Sequence, residues 1–476
     1  MMNRSYLFDT DSYKASHYLQ YPPKTTSMLS YIESRGSTMY TASIFFGLQY
    51  FLKEHLSHRV TPEEVEKAKV FFEAHGEPFN YEGWMYIAKE LGGKLPIRIR
   101  AVPEGTVLPL SNVLVTVEST DPRVFWIVSW LETMLLRYVW YGTTVATRSW
   151  HARKIILDAL ERSADAPEME IDFKLHDFGA RGVSSQESAM LGGAAHLINF
   201  KGSDTVIGVL CANEYYNSPM AGFSIPAAEH SSITSWGREN EAEAYRNMLR
   251  QFAKKDSLVA VVSDSYDIYN ACSRIWGEEL RQEVVNSGAT VVIRPDSGTP
   301  HEVVLKTLQI LADKFGYTIN SKGFKVLNNV RVIQGDGITD ESIPRILECA
   351  MSFGFSASNI AFGMGGGLLQ QLNRDTLQFA MKCSHITCDG KSIDVWKKPA
   401  TDSQKNSKKG RLDLVRTAEG AKTVVLEDGE LSKENSLMRT VYENGDILVD
   451  DSLEQIRERA HNNEYLENAR SKGNSH

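Results

Sequence analysis

The chain has 476 residues, of which 42% are hydrophobic and 24% are charged. It is therefore long enough for two or three domains of an ordinary globular protein. A formal net charge of −8 argues against bulk binding to nucleic acid, which favours a basic surface, but it allows a local basic pocket for a small anion. The five cysteines are sparse and odd in number, so we expect reduced thiols and a cytoplasmic location.

Residues 1–150 predict a mixture of helices and antiparallel strands. The stretch 61–76 begins with a Thr-Pro pair, carries early acidic residues and ends in Gly, which predicts a helix. The stretch 94–120 alternates apolar and polar residues between Pro and Gly, which predicts antiparallel strands. Charged residues interrupt the very apolar stretch 124–142, and its spacing favours a buried helix over a membrane span.

Residues 151–380 repeat one pattern, most clearly from about residue 170. An apolar run, a polar or glycine-rich corner and a helical stretch follow one another, which predicts parallel strands joined by helices. Seven such units favour a closed or nearly closed barrel, and an open doubly wound sheet is the alternative. The seven runs with their corners are 173–182, 204–216, 222–232, 258–267, 290–298, 330–337 and 359–367.

Residues 381–476 lose this alternation and contain strand-like runs, a basic loop and a polar helix. We infer that they pack with the N-terminal strands in a second domain. The predicted fold is therefore α/β: a barrel over 151–380, with a second, mostly β domain built from 1–150 and 381–476.

Functional side chains of a barrel gather where the strands end, and this sequence places many polar residues there. In the stretch AEHS, His230 stands beside Glu229; a solvated loop, a buried histidine with a satisfied ring and a catalytic histidine all fit this pair. Polar caps explain some of the strand-end residues but not readily the whole set. The set is His176, Asp177, Arg181, Glu229, His230, Asp264, Asp267, Arg294, Asp296 and Asp336.

Two glycine corners, VIQGDG at 332–337 and AFGMGGG at 361–367, favour phosphate binding over plain tight turns, because glycine allows close backbone approach to a ligand. Neither corner matches a dinucleotide or P-loop fingerprint. The basic residues that follow form either a solvated loop or a clamp for a polyphosphate. They are Arg374, Lys382, Lys397, Lys405, Lys408, Lys409 and Arg411.

Cations, acidic residues able to hold Mg²⁺ and aromatic residues such as Phe178 together suggest a phosphorylated sugar and a flat ring as ligands. Cleavage of a glycosidic-type bond to pyrophosphate would use all of them, since cations stabilise the leaving group and carboxylates stabilise an oxocarbenium-like centre.

Long motifs of the chain closely resemble those of the nicotinamide phosphoribosyltransferases, a family of type II phosphoribosyltransferases. The resemblance runs in order from about residue 9 to about residue 460. Its motifs include TDSYKASHYLQYPP, KLHDFGARGVSSQESA, NFKGSDTV, PAAEHSSITSWG, VVSDSYDIYNAC, IRPDSG, VIQGDG, FGMGGGLLQ and SKKGRLDL.

The resemblance implies an irregular, TIM-like α/β barrel with a second, mostly β domain, and a homodimer with both active sites at the subunit interface. It implies transfer of the phosphoribosyl group from phosphoribosyl pyrophosphate to nicotinamide, giving nicotinamide mononucleotide and pyrophosphate. Mg²⁺ is the implied cofactor. ATP is a co-substrate whose hydrolysis is coupled through a phosphorylated histidine.

By the same resemblance, His230 is the phosphorylated histidine, and either Glu229 or Asp264 orients its ring. Phe178 stacks on one face of nicotinamide, and Tyr13 of the partner subunit stacks on the other. Asp204 accepts a hydrogen bond from the amide NH₂ group.

The resemblance places Arg294 near the ribose and the amide oxygen, Arg181 close to the same pocket, and Asp296 on the ribose hydroxyls. Asp264 joins His230 and Asp296 as a catalytic residue, and Asp11 and Ser224 join the substrate-binding residues. The metal ligands stay unassigned. The implied ligands of ribose, 5′-phosphate and pyrophosphate are Gly335, Asp336, Gly365, Gly366, Arg374, Arg35, Lys382, Lys397 and Lys405.

The alternative function is that of a nicotinate phosphoribosyltransferase, which would share the barrel. A buried, ionised Asp204 would repel the carboxylate of nicotinate by about 4 kcal/mol at 4 Å and an effective dielectric near 20, so it favours the amide. A non-catalytic ligand sensor is a third hypothesis, and the retained charges of the site speak against it. We expect neither nucleic acid nor a membrane as a partner.

Overall fold

The computed structural model describes residues 5–401, 406–462 and 465. The chain divides into two compact units. The first comprises the described residues up to Thr147, the short segment Glu214–Ser218, and the described residues from Leu372 onwards. The second comprises Arg148–Asn213 and Pro219–Gln371.

The strands are numbered β1 to β19 in chain order. They are β1 (Thr25–Ser34), β2 (Ala42–Ile44), β3 (Ile97–Ala101), β4 (Val107–Pro109), β5 (Val113–Ser119), β6 (Leu175–Asp177), β7 (Gly202–Ser203), β8 (Leu258–Val262), β9 (Thr290–Arg294), β10 (Tyr317–Ile319), β11 (Lys325–Leu327), β12 (Val330–Gln334), β13 (Ile360–Met364), β14 (Phe379–Cys388), β15 (Lys391–Asp394), β16 (Arg411–Thr417), β17 (Gly420–Leu426), β18 (Arg439–Glu443) and β19 (Asp446–Ile447).

The α-helices are Leu48–Phe51, Pro62–His75, Tyr81–Lys89, Ile127–Trp130, Glu132–Ser163, Pro167–Glu170, Gln186–His196, Val206–Tyr216, His230–Thr234, Glu241–Phe252, Ile268–Asn270, Arg281–Ser287, Pro300–Phe315, Ser342–Ser352, Gly366–Leu369 and Leu453–Asn462. Two π-helical segments are Leu52–Leu56 and Ala271–Glu279. Short 3₁₀ segments are Ser12–Leu19, Pro122–Val124, Ile171–Phe173, Ala180–Gly182, Arg238–Asn240, Ala357–Asn359 and Arg374–Thr376.

The first unit is built on a seven-stranded antiparallel sheet with the order β15-β14-β1-β5-β3-β18-β19. Three N-terminal strands therefore form the middle of the sheet and C-terminal strands flank them on both sides, which confirms the predicted β-rich domain of N- and C-terminal segments. The helix predicted at 61–76 is also confirmed. It begins with a capping box between Thr61 and Glu64 and ends at Gly76, whose φ of 91° favours glycine.

The second unit contains a six-stranded parallel sheet with the order β7-β6-β13-β12-β9-β8 and helices between successive strands. The irregular segment 223–228 pairs with both edges of this sheet. The amide of Phe223 donates to the carbonyl of Lys201 beside β7 at 2.7 Å, and the amide of Ala260 in β8 donates to the carbonyl of Pro226 at 3.0 Å. The sheet thus curls into an irregular α/β barrel, as predicted.

Two of the seven predicted strands are wrong. The run 204–216 forms the helix Val206–Tyr216, and the strand of that unit is the two-residue β7 before it. A short apolar run can belong to a buried helix as well as to a strand. The run 222–232 makes only isolated bridges, because Pro226 lacks the amide hydrogen that a regular ladder needs.

The apolar stretch 124–142 forms the helix Ile127–Trp130 and the first turns of the helix Glu132–Ser163. Its apolar side chains are mostly buried, which confirms the predicted buried helix. Among the described residues, no helix combines the length and apolar character needed to cross a membrane.

Candidate active site

Five parallel strands of the barrel end in residues with polar or aromatic side chains or in glycines. Phe178 follows β6, Asp264 follows β8, Asp296 follows β9, Gly335 follows β12 and Gly365 follows β13. Because parallel strands share one carboxyl end, these residues meet at the same face of the barrel.

Phe178 is held in place by a tight turn after β6. Its amide donates to the carbonyl of Met364 at 3.0 Å, and the carboxylate Oδ1 of Asp177 accepts from the amide of Gly179 at 2.7 Å. A Cβ atom at Gly363 would lie 1.9 Å from the Phe178 ring. Position 363 must therefore be glycine for the ring to lie across the end of β13.

A cavity of about 640 Å³ opens beside this ring in the barrel interior. Its walls are mostly apolar, and Ala260, Val292 and Ile333 form their buried core. The polar groups near Phe178 are few and include Asp204, Ser224, Arg294 and His176. An apolar cleft with a few convergent polar groups is the usual form of a small-molecule site.

Asp204 lies at this cavity with a defined hydrogen-bond partner. Its Oδ1 accepts from the hydroxyl of Ser224 at 2.5 Å, and its amide donates to the carbonyl of Asp177 at 2.9 Å. The residue is exposed, so the expectation of a buried carboxylate at position 204 is wrong. Asp204 lies in the turn that leads from the very short β7 into the helix Val206–Tyr216.

Asp177 is the buried carboxyl group beneath these residues. Burial raises its pKa to about 6, although the bond from Gly179 lowers it. Its side chain braces the Phe178 turn and its carbonyl binds the Asp204 amide, so it connects the aromatic and acidic walls of the cavity.

His230 is the first residue of the helix His230–Thr234, and its ring faces a carboxylate. Nε2 of His230 lies 3.0 Å from Oδ1 of Asp264. The second oxygen of Asp264 accepts from the amide of Asp296 at 3.0 Å and from the hydroxyl of Ser297 at 2.6 Å. The carboxylate of Glu229 instead accepts from the hydroxyl of Ser231.

Of the two residues proposed to orient His230, Asp264 is the one whose carboxylate contacts the ring. The contribution of Ser297 was missed by sequence reasoning, although the residue stands inside the motif IRPDSG. A serine after an aspartate is common in turns, and nothing in the motif indicates which distant carboxylate its hydroxyl binds.

Asp296 stands among several charges. Burial raises its pKa, and the carboxylates of Asp264 and Asp336 raise it further, while Arg294 and His230 oppose them. Arg294 Nη2 lies 3.6 Å from Asp296 Oδ2. The Nε atom of Arg294 is buried and has no hydrogen-bond partner among the described residues, which leaves a donor at the cavity.

Gly335 is the point where the charged and aromatic parts of the site meet. A Cβ atom there would lie 3.2 Å from Asp296 Oδ1 and 3.5 Å from the Phe178 ring. The two side chains therefore border the space above the same glycine, so the aromatic ring and the carboxylate are adjacent at the site.

The glycine corners after β12 and β13 present backbone amides. No described residue accepts a hydrogen bond from the amides of Gly335, Asp336, Gly365 or Gly366. Gln334 braces the first corner by donating to the carbonyl of Asp336 at 2.9 Å. Unpaired amides beside glycines suit an anion.

Several predicted phosphate-binding residues belong to the first unit. Burial lowers the pKa of Lys382, and the charges of Arg35, Lys397 and Lys14 lower it further while Glu132 opposes them. Arg35, Lys382 and Lys397 thus lie close enough for their charges to interact. Arg374 is exposed, with Nη2 3.1 Å from Oδ1 of its neighbour Asp375, and Lys405 lies outside the described residues.

Two members of the predicted basic clamp have structural partners. Lys408 pairs with the buried carboxylate of Glu33, and Arg411 binds both oxygens of Glu118 at 2.7 and 3.0 Å. Both cations are therefore already paired with carboxylates on neighbouring strands, Glu33 being buried and Glu118 half-buried; their part in a polyphosphate clamp stays a prediction. Lys409 is exposed and lies 3.8 Å from Asp394.

Tyr13 and Asp11 lie at the N-terminal 3₁₀ segment of the first unit. Asp11 Oδ2 accepts from the hydroxyl of Thr133 at 2.7 Å. The Tyr13 ring is 57% exposed, packs edge-on against His17 and has Lys14 Nζ at 5.4 Å from its centroid. Arg181, in the second unit, is exposed and makes no hydrogen bond or ion pair with another described residue.

Among the described residues, no three His, Cys, Asp or Glu side chains are grouped as a metal site. Mg²⁺ commonly keeps water and binds one or two carboxylates together with substrate phosphates. Asp296 and Asp336 follow neighbouring strands at this face, and carboxylates are donors of the type that Mg²⁺ uses together with substrate phosphates.

Two family models match the sequence. The model described as the nicotinate phosphoribosyltransferase (NAPRTase) family matches residues 173–446, and the N-terminal domain of nicotinamide phosphoribosyltransferase matches residues 5–99. The first match spans most of the barrel and much of the C-terminal part.

Related proteins span nearly the whole chain. The nicotinamide phosphoribosyltransferase of Xanthomonas campestris pv. campestris is 56% identical over 95% of this chain and 97% of its own length. The protein of the same name from Acinetobacter baylyi is 30% identical over 94% of this chain and 95% of its own length. That from Mycoplasma genitalium is 33% identical over 86% of this chain and 96% of its own length.

Two solved structures share the fold at 16% sequence identity. The nicotinate-nucleotide pyrophosphorylase of Pyrococcus furiosus has a TM-score of 0.59, and human nicotinic acid phosphoribosyltransferase has a TM-score of 0.56. Each comparison covers 95% of this chain and 93% of the other chain.

Proposed function

Because the chain belongs to the nicotinamide phosphoribosyltransferases, within the wider nicotinate phosphoribosyltransferase family, we propose that it transfers the phosphoribosyl group of phosphoribosyl pyrophosphate to nicotinamide. The products are nicotinamide mononucleotide, a precursor of NAD, and pyrophosphate. One observation carries the proposal: a Cβ atom at Gly335 would lie 3.5 Å from the Phe178 ring and 3.2 Å from the Asp296 carboxylate, so the ring that would hold a flat base and the carboxylate that would hold a sugar are adjacent.

Nicotinamide lies on the Phe178 ring at the mouth of the apolar cavity. Its amide NH₂ donates to the carboxylate of Asp204, which Ser224 orients. The unpaired Nε of Arg294 donates to the amide oxygen. Arg181, exposed on the segment that follows Phe178, lies close to the same pocket.

The ring nitrogen of nicotinamide attacks C1 of the ribose. The new C–N bond forms while the C1–O bond to pyrophosphate breaks, and the electron pair of that bond leaves on pyrophosphate. Asp296 binds the ribose hydroxyls and stabilises the positive charge that develops on the sugar. Asp296 and Asp336 would hold Mg²⁺ together with the phosphates, and the bound ion would neutralise part of their charge.

The phosphates occupy two kinds of cationic or amide-rich surface. The amides of Gly335, Asp336, Gly365 and Gly366 bind the ribose and its 5′-phosphate. The pyrophosphate lies among Arg and Lys side chains that belong to the first unit of either subunit. Their positive charges attract its negative charges, as in other phosphate sites. These residues are Arg35, Arg374, Lys382, Lys397 and Lys405.

The protein acts as a homodimer whose two active sites lie at the subunit interface. The exposed ring of the partner subunit's Tyr13 covers the second face of nicotinamide, and Asp11 lies beside it. The exposure of Tyr13 leaves its ring available for this contact.

ATP is coupled through His230. Asp264 is held by the Asp296 amide and the Ser297 hydroxyl, so its other oxygen accepts a hydrogen bond from Nε2–H and the lone pair of the ring lies on Nδ1. Nδ1 attacks the terminal phosphorus of ATP, and ADP leaves. Asp264 balances the positive charge that the ring acquires, and water later cleaves the P–N bond to release phosphate.

Asp204 favours nicotinamide over nicotinate. At 4 Å, the repulsion between two carboxylates lies between about 1 kcal/mol in water and about 4 kcal/mol near a protein surface. The exposure of Asp204 places the effect in the lower part of that range, which still corresponds to a several-fold preference.

The direct test incubates the purified protein with nicotinamide, phosphoribosyl pyrophosphate and Mg²⁺, with and without ATP. Mass spectrometry should detect nicotinamide mononucleotide in equal amount to pyrophosphate, and ATP should increase its yield. Release of pyrophosphate without nucleotide would contradict the transfer, and an unchanged yield would contradict ATP coupling.

A further inference from the structure

The two glycine corners approach each other closely. They follow β12 and β13, which are neighbouring parallel strands. A Cβ atom at Gly367 in the second corner would lie 2.8 Å from the carbonyl oxygen of Ile338, just beyond the first corner. The backbone of one loop therefore packs directly on the backbone of the other, because Gly367 has no side chain between them. A small shift of either loop would change the distance between the two corners.

Arg148 contacts both loops from the long helix Glu132–Ser163. Its Nη1 donates to the carbonyls of Gly367 and Gln371, the latter at 2.8 Å. Its Nε lies 3.2 Å from the carboxylate of Asp340, four residues after Asp336. The two charged side chains are 8% and 7% exposed.

Only a side chain with several donors in a fixed plane can make this set of contacts. The guanidinium group offers five N–H donors in a rigid fork, whereas a lysine ammonium group is a flexible point charge. A buried charge is costly unless it is paired and hydrogen-bonded. Asp340 and the two carbonyls must therefore stay where Arg148 can reach them all.

We propose that Arg148 is a positioning residue for phosphate binding, because it holds the two glycine corners at the separation that lets them share one phosphate group. The inference rests on the proposed function, in which Gly335, Asp336, Gly365 and Gly366 bind the ribose 5′-phosphate. Arg148 itself touches no substrate. Its effect should appear in the binding of the phosphorylated sugar and not in the binding of nicotinamide.

Arg153 provides a matched control on the same helix. It also forms a largely buried pair, with Nη1 3.0 Å from Asp172 Oδ1, and it donates to the carbonyl of Asn199. Asp172 and Asn199 precede β6 and β7 and so lie at the amino ends of the parallel strands, whereas the glycine corners lie at the carboxyl ends of β12 and β13. A general loss of stability should therefore be similar for Arg148→Lys and Arg153→Lys.

The experiment measures steady-state kinetics and equilibrium binding for wild type, Arg148→Lys and Arg153→Lys. We expect Arg148→Lys to raise KM for phosphoribosyl pyrophosphate about tenfold, less than the roughly hundredfold effect of a 1 Å misplacement. KM for nicotinamide should change less than about twofold, and kcat less than about threefold. Arg153→Lys should leave all three within about twofold.

Calorimetry isolates the phosphate contribution, because nicotinamide mononucleotide and nicotinamide riboside differ only by the 5′-phosphate. The gain in affinity that this phosphate gives should fall about tenfold in Arg148→Lys and stay unchanged in Arg153→Lys. Asp340→Asn, which keeps the shape but removes the paired charge, should shift the same quantity in the same direction, and it takes over the test if Arg148→Lys does not fold.

An unchanged phosphate gain in a folded Arg148→Lys or Asp340→Asn protein would overturn the proposal. Equal losses in Arg148→Lys and Arg153→Lys would do the same, since they would indicate general destabilisation. Failure of the wild type to form nicotinamide mononucleotide would instead contradict the proposed function, and the binding difference would still report on the phosphate site.

Discussion

Nε2 of His230 lies 3.0 Å from Oδ1 of Asp264, whose other oxygen is held by the Asp296 amide and the Ser297 hydroxyl. The orientation of the imidazole is therefore set by a carboxylate that cannot rotate freely. The neighbouring Glu229 bonds elsewhere, although it adjoins His230 in the sequence.

We expect His230→Ala to abolish nicotinamide-stimulated ATP hydrolysis and to reduce nucleotide synthesis strongly, because the phosphoryl acceptor is lost.

Asp264→Asn should lower the ATPase rate by about a hundredfold or more, since an amide in this position favours the wrong tautomer of histidine. Phosphate release by purified variants measures both effects. Glu229→Gln is the control and should stay within about twofold of wild type; retained ATPase activity in a folded His230→Ala protein would remove His230 from this role.

Asp204→Ser should change the choice between amide and acid. The hydroxyl can pair with either substituent, and the repulsion of nicotinate disappears. The ratio of kcat/KM for nicotinamide to that for nicotinate should fall by at least about fivefold, the equivalent of about 1 kcal/mol. Ser224→Ala removes the partner of Asp204 but keeps its charge, so its ratio should move much less. A ratio that moves less than about threefold in Asp204→Ser would direct the search to Arg294 and Arg181.

Gly363→Ala should displace the Phe178 ring, because the added methyl group would lie 1.9 Å from it. Affinity for nicotinamide should fall at least about tenfold, and overpacking should cost about 1–3 kcal/mol of stability. Calorimetry with nicotinamide and urea denaturation measure the two effects. Gly182→Ala is the control, since its methyl group meets only ordinary contacts at 3.5 Å; normal nicotinamide affinity in Gly363→Ala would show that Phe178 does not form the platform.

Asp177 should make stability depend on pH in a defined window. Burial raises its pKa to about 6, above the usual value near 4, so the folded protein binds the proton more tightly than the unfolded chain. Its contribution to the free energy of unfolding should therefore fall as pH rises from about 4 to about 6, and stay constant above. Relative to wild type, Asp177→Asn should gain up to about 3 kcal/mol across this window. Urea denaturation at both ends of the window measures the gain, and a pH-independent difference would contradict the assignment.

The sequence predicts those parts of the fold that local patterns determine. The cap residues of the helix at 61–76 and the apolar runs of β8, β9, β12 and β13 are visible without any partner. The segment 223–228, which pairs with both edges of the parallel sheet, has no local pattern that reveals this pairing. Its partners are Gly202 and Ala260, which lie in other parts of the sequence. The run 204–216 misleads for a related reason, since a buried helix and a buried strand are equally apolar.

The same distinction applies to the candidate site. Phe178, Asp264, Asp296 and the glycines stand at predicted strand ends, so the sequence places them correctly on one face. The sequence alone does not show which charged side chains pair with one another. The pairing of Lys408 with Glu33 occupies a cation that looked available, and the reach of Arg148 to both glycine corners depends on the packing of one helix against two loops.

Competition between nicotinamide and nicotinate tests the central claim most directly. Wild-type protein is supplied with phosphoribosyl pyrophosphate, ATP, Mg²⁺ and equal concentrations of the two bases, and mass spectrometry resolves the two mononucleotides. The account predicts mainly nicotinamide mononucleotide, with a share that falls in Asp204→Ser. A product that is mainly nicotinate mononucleotide, or no mononucleotide at all, would contradict it.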